Sequence, residues 1–530
     1  MTNKLVKGAA VIGMAGAFVK FLGAFFRIPL TNWIGDVGMS YYGFAYAIYG
    51  ALLVLATAGL PVAISRLVSE NIAKHEYKNA HKVFKVSLML MATIGLICFC
   101  ICFFGSNVIT RKLGNPDASL AVRAIAPAIL FVPILSAFRG YFQGRQNMNP
   151  TAISEISEQL IRVITGLTLA AVFLDSGLEK AAAGASFGAS AGAFGGLCVM
   201  LCIYLLNRKV IKKKISLNQK DIESTGEILK KIVVIAVPII IGAEIMPIMN
   251  LIDTGIIMTR LQAMGWSYEE AKSMYGLISA FCSSLISFPQ IFTQAVAISL
   301  VPAIAKAAAV HDQEGIQENV PLGYRTTMIM AFPCAVGIFA LAKPILFLLY
   351  PSQLESAEAA VPTLMIMAVG VISLAISQTA TGTLQAIGKQ NIPVKNLLLG
   401  CVAKVIITYI LVGVRSLNIM GAAIGTVVAY TIDFTLNNRA VAKYTGVKFD
   451  YVLTYVKPFL ASAIMGVAAF GVHALLVGIL GNSIATLLAI IVGAAVYAVL
   501  IFVFKAITVD EVKMIPGGSK LEPIIRKFIK

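Results

Sequence analysis

The stretch FVKFLGAFFRIPL, residues 18–30, is apolar enough to lie inside a bilayer, yet it carries Lys20 and Arg27. A cation near the bilayer centre costs about 3 kcal/mol or more. Two turns of helix separate the pair, so they stand about 10 Å apart on nearly one face. Gly13, Gly16 and Gly23 share that face. Glycines and cations in one line do not face lipid; they border a wet cavity or an acidic partner.

The texture around that stretch extends over the whole chain. Its 530 residues are 58% hydrophobic and 13% charged, with a mean hydropathy of +0.85. That composition excludes a soluble domain of this size. Apolar runs of about 20 residues recur from end to end, each long enough for a hydrocarbon core. Backbone in lipid must bond to itself, so the runs read as helices. The expectation is an all-α polytopic membrane protein with about fourteen transmembrane helices. The first span is placed near 9–30, the second near 41–63 and the last near 484–505. The basic start lacks a small-residue cleavage site, so the first span is read as retained.

The formal charge of +18 is explained by its placement. With a cytoplasmic N-terminus, about 30 basic residues fall inside, about 8 outside and about 5 within spans. Both termini are therefore expected in the cytoplasm. Loops such as NRKVIKKKISLNQK (207–220) suit anionic lipid headgroups. They lack the interleaved aromatics of a nucleic-acid surface, so no nucleic acid is expected. Trp33 and Trp266 fall just beyond outer span ends, where indoles anchor. The eight cysteines all sit in apolar runs without a CxxC or Cys/His cluster, so neither a disulfide framework nor a metal site is expected.

An internal repeat organises the chain. LPVAISRLVSE (60–70) recurs in outline as AVAISLVPAIAK (295–306). RGYFQGRQNMNP (139–150) is echoed by TGTLQAIGKQNIP (381–393), and AGASFG (183–188) by MGAAIG (420–425). The order is the same each time, and both halves start on one side. Two parallel six-helix lobes follow, a plan of secondary transporters whose substrate site lies between the halves. The domains expected are 1–220, 221–450, and 451–530 with two further helices and a basic cytoplasmic tail.

Other charges fall inside spans. Glu244 and Asp253, in VPIIIGAEIMPIMNLIDTG (237–255), point to opposite faces of a regular helix. Pro238 and Pro247 can bend that helix and free carbonyls. Basic first helix and acidic seventh suggest groups that meet and part with a transport cycle, or a static Lys20–Glu244 bridge. Lys404 and Asp433 could pair, or serve a coupling ion or proton. Glu158 and Arg162 stand in the favourable i,i+4 order and read as a local pair, with Glu155 on the same face. Arg66 and Arg139 lie at cytoplasmic span ends, within snorkelling reach. Lys20, Arg27, Arg66, Arg139 and Lys404 outweigh Glu244, Asp253 and Asp433, which points to an anion, and phosphate suits both Lys and Arg. No phosphate loop or nucleotide-binding motif is present.

Together KFLGAFFRIPL, TAGLPVAISRLVSE, FRGYFQGRQNMNPTAISEISEQLIRV and NLIDTG resemble the polysaccharide-flippase branch of the multidrug/oligosaccharidyl-lipid/polysaccharide exporters. Lipid II flippases and stage V sporulation B proteins belong to that branch. The resemblance implies two lobes around a central cavity and alternating access. The implied cargo is an undecaprenyl-diphosphate-linked wall precursor, moved to the outer leaflet of the bacterial plasma membrane without enzymatic chemistry or a cofactor. It implies a groove for the polyprenyl tail at the two extra C-terminal helices. Lys20 and Arg27 match two cations of the family's first helix, and with Arg66, Arg139 and Glu244 are the candidate substrate-binding residues. Asp253 matches an acidic position tied to a cation site, and with Lys404 and Asp433 is a candidate for ion coupling. Drive would come from membrane potential or a cation gradient. Two features depart from the pattern: the second helix is apolar in GALLVLATAG (50–59), and the eighth has no arginine. The rival readings are an ion-coupled multidrug antiporter and a membrane-embedded glycan polymerase.

Overall fold

The computed structural model describes residues 2–216 and 223–506. Every regular element among them is helical. Compactness divides the chain into Met1–Gln262 with Trp266–Gly276, and Ala263–Gly265 with Leu277–Lys530.

The first unit holds α1 (Thr2–Thr57), α2 (Leu60–Ala73), α3 (Tyr77–Lys112) and α4 (Ser119–Gly144). It continues with α5 (Asn149–Phe173), α6 (Leu178–Ser216), α7 (Thr225–Ala263) and α8 (Tyr268–Gly276). The sequence repeat divides the chain near residue 221. Compactness divides it later because Ile228, Ile232 and Ala236 of α7 are buried in one core with Leu60, Phe84 and Phe138. α7 stays helical through both Pro238 and Pro247.

The second unit opens on a π-helical turn, Leu277–Cys282, and continues with α9 (Ser283–Ala309), α10 (Gln313–Ala340) and α11 (Ala342–Leu349). Then come α12 (Leu354–Ala386), α13 (Asn391–Val412), α14 (Met420–Thr445) and α15 (Lys457–Val503). α15 packs on α10 through Met465, Tyr497 and Ile501, and the Tyr497 hydroxyl donates to the Ile329 carbonyl at 2.6 Å. The basic tail expected beyond residue 506 lies outside the described residues.

Eleven stretches among the described residues are long and apolar enough to cross a membrane. Two of them contain a break: Gly35 in α1 (φ 64°, ψ −167°) and Gly481 in α15 (φ 73°, ψ 167°). Only glycine adopts that region freely, so each stretch is two passes joined without a loop. α14, which buries Asp433 and Asn437 within its length, makes fourteen passes among the described residues. The connection expected at 31–40 is therefore absent. Helix runs to the break at Gly35, and the Asp36 carboxylate accepts from the Val37 amide at 2.7 Å to start the next pass.

The repeat has a steric basis. A Cβ on Gly188 would lie 2.6 Å from the Arg162 carbonyl oxygen, and one on Gly425 would lie 3.3 Å from that of Lys404. A Cβ on Gly192 would meet the Glu158 carbonyl at 2.5 Å, and one on Gly400 would meet the Ala429 carbonyl at 2.8 Å. Both units thus cross their fifth and sixth repeat helices at backbone distance. At the second point the glycine has moved from one helix to the other.

Candidate functional site

The first unit gathers most of the intramembrane charge. Lys20 is exposed on α1 and Arg27, two turns on, is half-buried. The face between them is laid on α5: a Cβ on Gly23 would sit 3.5 Å from Gln159 Nε2, and Gly166 is backed by the Phe26 ring. Behind the Gly35 break, the same chain returns Tyr42, Tyr46 and Tyr49, spaced i, i+4, i+7. Their rings form a row, with centroids 4.4 Å apart for Tyr42–Tyr46 and 5.7 Å for Tyr46–Tyr49.

Arg162 of α5 interacts electrostatically with all three tyrosines. Arg27 also lies within electrostatic range of Tyr42. Glu158 joins Arg162 to Arg139: its Oε2 accepts from Arg139 Nη2 at 2.9 Å, its Oε1 from Arg162 Nη2 at 3.3 Å. Arg139 Nε also donates to Ser154 Oγ at 2.9 Å. Side-chain exposures of 13%, 14% and 20% for Arg139, Glu158 and Arg162 place this triad well inside the unit. Arg139 is thus tied across α4 and α5 rather than stretched along a span end. Arg66 is exposed and paired with Glu70 at 2.8 Å, one turn away on α2.

On α7, Asp253 is buried one residue before Thr254, whose Oγ1 lies 3.0 Å from the Tyr275 hydroxyl. Asp253 and Arg27, far apart in sequence, both lie within electrostatic range of Tyr275. Glu244 behaves differently. It is 5% exposed, and neither carboxylate oxygen has a hydrogen-bond partner. The Lys20–Glu244 bridge is therefore not formed in this conformation. An unpartnered buried carboxylate is costly, so this position requires a proton, a cation or a rearranged neighbour.

One cation escaped the sequence reading. Lys272 of α8 is 2% exposed and donates to Glu269 at 2.6 Å, Tyr41 at 2.9 Å and Asp117 at 3.0 Å. All three ammonium protons are used, so Lys272 is a staple and not a receptor. It holds α8 against the pass that follows Gly35. The row of tyrosines was missed too, although YYGFAYAIY (41–49) carries it at helical spacing.

In the second unit, Lys404 is half-buried on α13 and Asp433 buried on α14. Asp433 accepts from Ser377 through a short bond and from Asn437 Nδ2 at 2.9 Å, and Asn437 in turn accepts from Asn396 at 2.8 Å. The same unit holds an apolar cavity of about 630 Å³, lined by Val336, Phe339, Val369, Phe459, Val467 and Phe470. α15, one of its walls, supplies the two helices outside the repeat.

A helical membrane fold with paired repeats and buried cations is the architecture of a flippase or transporter. The polysaccharide biosynthesis protein family matches residues 5–308, and the chain belongs to that family. The MatE family also matches, over residues 278–410. Stage V sporulation protein B of Bacillus subtilis (strain 168) is 26% identical over 97% of this chain and 98% of its own. Lipid II flippase MurJ of the same organism is 27% identical over 88% of each chain. Among solved structures, an inward-facing MATE family transporter aligns with a TM-score of 0.69 at 14% identity, covering 81% of this chain and 95% of its own. A lipid II flippase MurJ in an inward closed conformation aligns at 0.66 and 16%, covering 93% and 98%. This chain is accordingly a multi-pass membrane protein of the exporter superfamily that contains both.

Proposed function

We propose that the protein flips an undecaprenyl-diphosphate-linked wall precursor, specifically lipid II, from the inner to the outer leaflet of the bacterial plasma membrane. The product serves peptidoglycan synthesis, including that of the spore cortex. The observation that carries this reading is the placement of Lys20 and Arg27 on one intramembrane face of α1, the first exposed and the second half-buried. Cations there attract the diphosphate, while the sugar and peptide stay wet and the polyprenyl tail stays in lipid. The apolar cavity beside α15 suits such a tail. Two relatives with nearly matching lengths are named for lipid II flipping and for sporulation, which supports the choice of cargo.

In this reading both termini are cytoplasmic and the basic loops rest on anionic headgroups. Drive comes from membrane potential or a cation gradient, with Asp253, Lys404 and Asp433 as coupling positions and no cofactor. In cells that depend on this protein, Lys20→Ala with Arg27→Ala abolishes flipping, read as loss of lipid II accessible to an external enzyme. Unchanged accessibility removes the reading. The MatE match over 278–410 favours a second reading, an ion-coupled multidrug antiporter. Binding of organic cations in preference to anionic lipids would establish it.

A further inference from the structure

We propose that Glu244 is a proton-binding site of the first unit: with a proton it seats the middle of α7 on α3, and without one that seat is lost. The ligand is a proton taken from water, one per carboxylate, with no change of oxidation state. The site is independent of the cargo proposed above, and the two fail separately.

Glu244 stands at the midpoint of α7, Thr225–Ala263. Ile228, Ile232, Ala236, Ile240 and Glu244 recur every four residues and form one line along the helix. The first four pack with Leu60, Phe84 and Phe138 in an apolar core. Glu244 continues that line at 5% exposure, so a packed apolar face ends in a carboxylate. The helix is held close on both sides of it. A Cβ on Gly59 would lie 2.3 Å from the Ala236 carbonyl oxygen, and Gln262 Nε2 donates to the Gly114 carbonyl at 3.1 Å.

Neither oxygen of Glu244 has a hydrogen-bond partner among the described residues. Cys98 of α3 lies within electrostatic range and brings no positive charge. The arginines of the helices packed on this face are engaged elsewhere: Arg66 with Glu70, Arg123 with Ser106 and Arg139 with Glu158. His81, Lys82, Lys85, Arg111 and Lys112 of α3 all stand 13 or more residues from Cys98, about 20 Å or more along the axis. On α7 itself the nearest charges in sequence are Asp253 and Lys231, 9 and 13 residues away. A carboxylate in apolar surroundings without a counter-charge is far costlier than the neutral acid, so the occupant is a proton. A metal ion would require several oxygen ligands at once. The residues one turn away on α7 are Ile240, Ile241, Pro247 and Ile248, and no three metal-binding side chains gather among the described residues. Pro238 and Pro247 lack the amides that would bond the Val234 and Ala243 carbonyls, so α7 bends most readily on either side of Glu244. Ionisation thus has a movement to drive: the middle of the helix leaves α3 and carries its charge to water.

The test uses the full chain in lipid nanodiscs. Infrared difference spectra between neutral and alkaline buffer should show the C=O stretch of a protonated carboxylic acid, and Glu244→Gln should lose that band. A band unchanged in Glu244→Gln overturns the inference. Hydrogen exchange supplies a readout that needs no variant. From neutral to alkaline buffer, amides around Glu244 should open several-fold more often in the wild type, after correction for the intrinsic pH dependence of exchange. Glu244→Gln and Glu244→Met, both neutral, should abolish that rise. A rise that persists in both variants, or is absent from the wild type, overturns the proton-controlled seat. Exchanging choline chloride for sodium chloride should change neither readout; protection restored by sodium would make a metal ion the occupant and overturn the proton. Lys20→Ala with Arg27→Ala should leave both readouts as they are, so cargo and proton are tested apart.

Discussion

The crossing of α5 with α6 in the first unit and that of α13 with α14 in the second share a backbone arrangement and differ in chemistry. Both bring helices together at glycines, and both place a cation, Arg162 or Lys404, where a glycine meets its carbonyl. In the first unit the polar interior is ionic, an arginine–glutamate–arginine triad beside three tyrosines. In the second, the bonds around the carboxylate of Asp433 come from neutral side chains, Ser377 and Asn437, with Asn396 bonded to Asn437. A duplicated scaffold preserves what sterics demand and lets charge diverge.

The comparison breaks most readily on the carboxylates. Glu158→Gln leaves two arginines sharing no counter-charge and should destabilise by about 3 kcal/mol. Asp433→Asn keeps an acceptor for Ser377 and should cost about 1 kcal/mol. Thermal unfolding in detergent checks the order, and equal losses would erase the distinction between ionic and neutral interiors. The glycines sharpen the steric half. Gly188→Ala drives a Cβ onto backbone, the Arg162 carbonyl and Gly166, and should cost about 2 kcal/mol. Gly425→Ala meets first the Thr408 Oγ1 and backbone only at 3.3 Å, and should cost about 1 kcal/mol. Ser377→Ala removes one donor from Asp433 and should likewise cost about 1 kcal/mol.

Much of this was legible in the residues alone. Fourteen passes, the repeat landmarks and the cationic face of α1 follow from hydropathy, order and helical period. Glu158–Arg162 was legible as a pair, because i,i+4 spacing is local. Its extension to Arg139 was not, since that depends on how α4 lies against α5. Spans placed near 9–30 and 41–63 left residues 31–40 as a connection, whereas the helix is interrupted only at Gly35. Its helical state is stabilised from outside: Ser273 bonds the Asp36 carboxylate and Gly276 packs on the Asp36 carbonyl.

By itself the sequence determined the solvent, the number of passes and the duplication. Each of these is set by composition or by a period that one helix carries alone. Only the tertiary structure decided which charges neutralise one another and which keep an unmet donor. Arg139, Arg162 and Lys272 are alike as letters, cations whose partners lie on other turns or other helices. Whether such a cation is fully paired depends on how many acceptors neighbouring helices bring within 3 Å or so, and helix packing alone supplies that number.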